Sequence, residues 1–202
     1  MNPGYAAAKT GWGLGIRTGI VLAFVLSWGL LFAPVTSAKV FASQGQALRE
    51  AFPEATRIDR DTKIIRRGEL AKIKALTKED NPAKVVVLHT AWRDDELLGY
   101  GHVDVHNVRT KPEALLVVLT PEGVVRSVRM LAFHEPLDYL PTDGWYAQFG
   151  GKTREDRMRI GGDIHGVVGA TLSARAAADS IRRMLAYWQV LLRPAEVGEQ
   201  AP

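Results

Sequence analysis

Cysteine is missing from all 202 residues. That excludes disulfides, c-type haem attachment and cysteine-held iron–sulfur clusters, and it is compatible with an oxidising compartment. A basic block is missing as well. The formal charge of +4 is spread along the chain, and no basic stripe interleaves with aromatics, so nucleic acid is not an expected partner. There is no Gly-x-Gly-x-x-Gly fingerprint and no P-loop, which removes nucleotide binding by those routes. Without a Gly-x-Ser-x-Gly elbow or a cysteine nucleophile, nucleophilic catalysis has no obvious carrier. What remains is a globular composition, 47% hydrophobic and 24% charged. The length suits one ordinary domain plus a leader.

Charge is also missing from one particular stretch. Gly19 to Pro34 is an apolar run without a charge, with Lys9 and Arg17 before it and Lys39 after it. Two readings fit: an uncleaved N-terminal anchor, extended at one end to span, or a signal peptide cleaved after Ala38, where Thr36 and Ala38 are small. Both put the basic N-terminus in the cytoplasm and the rest on the extracytoplasmic, periplasmic side of an inner membrane. The expected divisions are a tail and single transmembrane anchor over 1–38, a helical lead-in over 39–83, a main domain over 84–193 and a tail over 194–202.

The lead-in reads as a helix through Ala47, Leu48, Ala51 and Phe52, stopped by Pro53. A short strand over Thr62–Ile65 and a helix over Glu69–Leu76 follow. The main domain opens with β-type runs over Lys84–Thr90, Leu97–Val108, Leu115–Leu119 and Val124–Phe133, separated by turn residues. The expected fold is α+β, an antiparallel meander of about four strands packed with helices. Near the end, Ala174, Ala177, Ala178, Ile181, Leu185, Trp188 and Leu192 recur at helical spacing, with Arg175, Arg182 and Arg183 off that stripe.

Immediately before that helix stands Gly166-Val-Val-Gly169-Ala170-Thr171-Leu172-Ser173. A helix N-terminus offers unpaired N–H groups and partial positive charge, which suit a phosphate, and small residues admit a close ligand. The plainer reading is a capped helix with Thr171 or Ser173 as N-cap. Gly169-Ala170-Thr171 with an apolar helix behind it resembles the end of the FMN-binding domain of RnfG- and NqrC-type electron-transport subunits. In that family the pattern is roughly Asp-x-x-Ser/Thr-Gly-Ala-Thr, and the last threonine carries FMN as a phosphoester. Here Val168 stands at the Ser/Thr position and His165 at the aspartate, with Asp163 two residues earlier. The order of strands, the His134-Glu135-Pro136 turn and Trp145-x-x-x-Phe149 with Lys152 beyond also resemble the family, over roughly residues 84–190.

The resemblance implies FMN as cofactor, a flavin transferase to attach it, and redox partner proteins or a membrane electron-transport complex. It implies a carrier subunit rather than a stand-alone enzyme. Thr171, Ala170, Gly169, Leu172, Ser173 and His165 would form the attachment region, and Trp145, Glu135 and Tyr100 would lie near the flavin, with Phe133 and Tyr146 as further candidate ring walls. Noncovalent FMN and a flavin-free accessory subunit stay open. Glu135 also reads as a loop-fixing acceptor. Independently, a strand over Gly101–His106 puts His102, Asp104 and His106 on one face. They could ligate a metal or haem, or simply form a polar strand face, since alternate residues lie roughly 6.6–6.8 Å apart.

Overall fold

The computed structural model describes residues 39–193. The expected anchor over Gly19–Pro34 and the tail over 194–202 lie outside them. Among the described residues no helix is long and apolar enough to cross a membrane.

Among the described residues the fold is α+β, a six-stranded antiparallel sheet with four α-helices. In chain order the elements are β1 (Lys39–Val40), α1 (Gln44–Ala51), β2 (Arg57–Ile64), α2 (Arg67–Thr77), β3 (Val85–Arg93), β4 (Glu96–Asn107), β5 (Pro112–Leu119), β6 (Val125–Phe133), α3 (Asp143–Tyr146) and α4 (Thr171–Tyr187). Strands β2 to β6 form a meander, each pairing with the next, and β1 adds outside β6. The expected four strands are therefore joined by two from the lead-in. The short strand expected at Thr62–Ile65 is the far end of the eight-residue β2.

Strand β5 is nearly continuous in apolar residues because both of its faces are covered. Leu115, Val117 and Leu119 belong to the larger core with α4, while Leu116 and Val118 belong to a smaller one with Ala47, Leu48 and Phe52 of the α1 region. Helix α1 thus packs on one face of the sheet, and α2, α3 and α4 pack on the other. The stripe on α4 is core-facing as expected: Ala174, Ala177, Ala178, Ile181 and Leu185 have no exposed surface. Its alanines let the helix sit close to the sheet. Ile181 and Leu185 each contribute roughly 1.5–3 kcal/mol by burial. Trp188 and Leu192 continue the packing in a single π-helical turn, Trp188–Leu192.

Candidate functional site

The segment from Lys152 to Ala170 has little regular structure, so side chains must hold it in place. Asp163 accepts from the backbone N–H groups of Met158 at 2.8 Å and Arg159 at 2.6 Å, and Ile164 is fully buried. The next residue is held by a closed set of hydrogen bonds. The Trp145 indole donates to the His165 carbonyl at 2.7 Å, the His165 N–H donates to Gln148 Oε1 at 2.8 Å, and Gln148 Nε2 donates to the Trp145 carbonyl at 3.2 Å. Six residues later the chain enters α4.

That entry is the candidate site. Gly169 has φ +83°, a left-handed conformation that disfavours any side chain, and nothing lies within 4 Å of where a Cβ would stand. Ala170 is the N-cap and supplies no side-chain cap. The expectation that Thr171 or Ser173 caps the helix is therefore corrected. Thr171 is the first helical residue and exposed, and Ser173 is buried. With no side-chain acceptor at the cap, the first amides of α4 remain available to an anion.

Gly169, Ala170, Thr171, Leu172 and Ser173 line a cavity of about 130 Å³ together with Arg109 and Glu135. Glu135 Oε1 accepts from the N–H groups of Thr110 at 3.3 Å and Lys111 at 3.2 Å, so it fixes the β4–β5 loop that carries Arg109. Among the described residues no carboxylate forms an ion pair with Arg109. The cavity is smaller than the roughly 300–1,000 Å³ of sites that enclose a drug-sized ligand. It suits a phosphoryl group rather than a whole flavin. Tyr139 and Leu172 on its wall are 37% and 48% exposed, and Val168 is fully exposed.

The other expected flavin neighbours stand apart from this cavity. Trp145, Tyr146 and Phe133 are buried in the larger core, and Trp145 reaches the site only through the loop it holds. Tyr100, also in that core, lies eight residues up the chain from Val108, about 26 Å of extended strand. His165 is exposed and contributes its backbone. Tyr139 had no signal in the sequence beyond following Pro136.

The His102–Asp104–His106 face exists, and α4 covers it. His102 Nδ1 donates to the Val87 carbonyl at 2.8 Å, and its ring meets Tyr187 edge-on. Burial pushes its pKa down, keeping it neutral. Asp104 accepts from Arg183 and Ser180, and from His106 Nδ1 at 3.0 Å. His106 Nε2 lies 2.7 Å from Glu113 Oε1, its direct cross-strand partner, in an ion pair whose geometry is not that of a hydrogen bond. Although burial opposes the charge on His106, its two carboxylates push its pKa up to about 9. Burial likewise opposes the charge on Asp104, yet His106 and Arg183 hold its carboxyl well below the usual range.

Arg183 was expected off the core stripe. It turns inward because Asp104 and Glu79 give its charge two partners. Among the described residues no group of three or more acidic or histidine side chains is arranged to hold a metal ion. Ser180, His106 and Glu113 follow the order of a nucleophile, base and acid, but Ser180 has no exposed surface for a substrate to reach. The cluster ties β4, β5 and α4 together.

No protein-family model and no curated protein matches this chain, so those comparisons leave the FMN-domain resemblance resting on the residues themselves.

Proposed function

We propose that this protein is a membrane-anchored flavoprotein that carries FMN as a phosphoester on Thr171. It passes electrons between a redox partner and a membrane or extracytoplasmic acceptor. The observation that carries this reading is the setting of Thr171: an exposed residue on the first turn of a 17-residue helix with no side-chain cap, beside Gly169 and a cavity lined by Arg109, which has no carboxylate partner among the described residues. Helix amides and a guanidinium both favour a phosphate. FMN, when bound, supplies the electron-transfer chemistry. The protein's part is to hold the phosphoester at Thr171, set Arg109 beside it through Glu135, and present Tyr139 and Leu172 as apolar surface. Gly19–Pro34 serves as the anchor, and a covalent link keeps the flavin on a protein that has left the cytoplasm.

Noncovalent FMN is the second reading, favoured by Val168 and His165 at positions where the attachment pattern has a hydroxyl and a carboxylate. The small cavity favours the tether, since a ring that is not enclosed needs another means of retention. The test is co-expression with a flavin transferase, denaturation, and inspection of the protein band for flavin fluorescence. A fluorescent band that disappears in Thr171→Ala supports the phosphoester. A band that persists in that variant rejects Thr171, flavin lost on denaturation supports the noncovalent reading, and a colourless native protein points to an accessory subunit.

A further inference from the structure

The opposite face of the sheet carries a second, larger concavity. Helix α1 packs against β5 and β6, and beside it a groove of about 690 Å³ opens over β2 and β3. That volume lies within the range of small-molecule sites. Leu48, Phe52 and Ile58 give it an apolar floor, and Gln44 and His89, whose side-chain nitrogens are 3.0 Å apart, add a polar spot. Burial lowers the pKa of His89, with a further push from Arg60, so the spot is neutral.

The charged side chains that line this groove have one sign. Arg49, Arg57 and Arg60 line it, and no aspartate or glutamate does. Arg57 is committed to Asp59 at 3.0 Å and to the Trp92 ring. Arg49 and Arg60 have no carboxylate within ion-pair distance among the described residues. The Arg49 guanidinium folds back over Gly45, where a Cβ would stand 3.5 Å from it. Two guanidiniums without a close ion-pair partner among the described residues, set over an apolar floor, match a ligand with an anionic head and an apolar body.

We propose that this groove binds a small amphiphile bearing a phosphate monoester or carboxylate, with its head on Arg49 and Arg60 and its body on Leu48, Phe52 and Ile58. The ligand is either a soluble metabolite or a lipid of that chemistry. The site lies across the sheet from Thr171 and needs no flavin.

The test is calorimetric titration of the flavin-free full chain, in nonionic detergent, with 1-naphthyl phosphate. Saturable 1:1 binding is expected, weakened at least tenfold in the Arg49→Ala/Arg60→Ala double variant. Both side chains are exposed, so the fold should survive their removal. Inorganic phosphate and 1-naphthol, each lacking one half of the recognised chemistry, should bind at least tenfold more weakly. Displacement by phosphatidic acid but not by phosphatidylcholine, each added in mixed micelles with the same detergent, supports a lipid source, whereas retention of the probe against both supports a soluble one. Absence of saturable binding, indifference to the double variant, or equal affinity for inorganic phosphate overturns the proposal.

Discussion

The Trp145 indole N–H and the His165 carbonyl, 2.7 Å apart and twenty residues apart in sequence, hold the loop that delivers Thr171 to the start of α4. The bond is partly buried, and Gln148 closes it into a ring of three hydrogen bonds. The loop therefore depends on an aromatic residue that does not itself line the cavity.

Replacing that indole tests the dependence. Trp145→Phe removes the donor, leaves the carbonyl short of a partner and opens a small void, a combined cost of about 2–4 kcal/mol. Urea unfolding should show the loss, and, if Thr171 carries FMN as proposed, flavin retention should fall with it even though Thr171 is intact. An unchanged urea midpoint would mean that the loop is held by other contacts.

Stability should also fall as the medium turns alkaline. His106 has its pKa raised from 6.5 to about 9, so its contribution is complete below about pH 6.5 and disappears as pH climbs through 9. The shift corresponds to something on the order of 3 kcal/mol. Asp104 acts with the opposite sign. Its carboxyl is held below the ordinary 3.8, so its contribution is present above that value and is lost as pH drops below it. The cluster is strongest between about pH 4 and 6.5. Urea midpoints measured from pH 6 to 9.5 should decline in the wild type and decline less in His106→Gln; parallel curves would count against the ion pairs.

Two glycines with positive φ separate backbone strain from crowding. Gly169 has φ +83° and open space where a Cβ would go, so Gly169→Ala should cost about 1–2 kcal/mol from conformation alone. Gly123 has φ +81°, and its Cβ would stand 2.4 Å from the Trp188 ring, which hydrogen-bonds Pro121. Gly123→Ala must displace that indole as well and should be the more destabilising change. Thermal melts of the two variants give the order, and a reversed order would contradict this account.

The parts of the fold that were legible in the sequence are those where one physical signal dominates. The α4 stripe and the apolar runs of β3 to β6 stand out because burial imposes its period. Strand β2 was mostly hidden, because it is an edge strand whose Arg57, Asp59, Asp61 and Lys63 alternate with few buried partners. The irregular register of β6 against β5, shifted at Ala114/Leu115 and Val118/Leu119, also cannot be read from simple alternation. At the site, Thr171, Gly169 and Glu135 are local features and could be read directly. The inward turn of Arg183 could not, because its reason is Asp104, 79 residues away on another element.

Arg109 separates a binding role from a structural one. It is exposed and has no carboxylate partner among the described residues, so Arg109→Gln should leave the unfolding free energy within about 0.5 kcal/mol of wild type, with little change in the thermal midpoint. Glu135→Gln should behave differently. It keeps a carbonyl acceptor for Thr110 and Lys111 but removes a negative charge from the cavity wall. If a phosphate sits at Thr171, losing the Arg109 cation should lower flavin incorporation several-fold, whereas Glu135→Gln should hold it or raise it. Flavin-to-protein ratios by absorbance, taken beside the melts, read both effects. Equal incorporation in wild type and Arg109→Gln would remove Arg109 from the phosphate and leave the α4 amides to hold it.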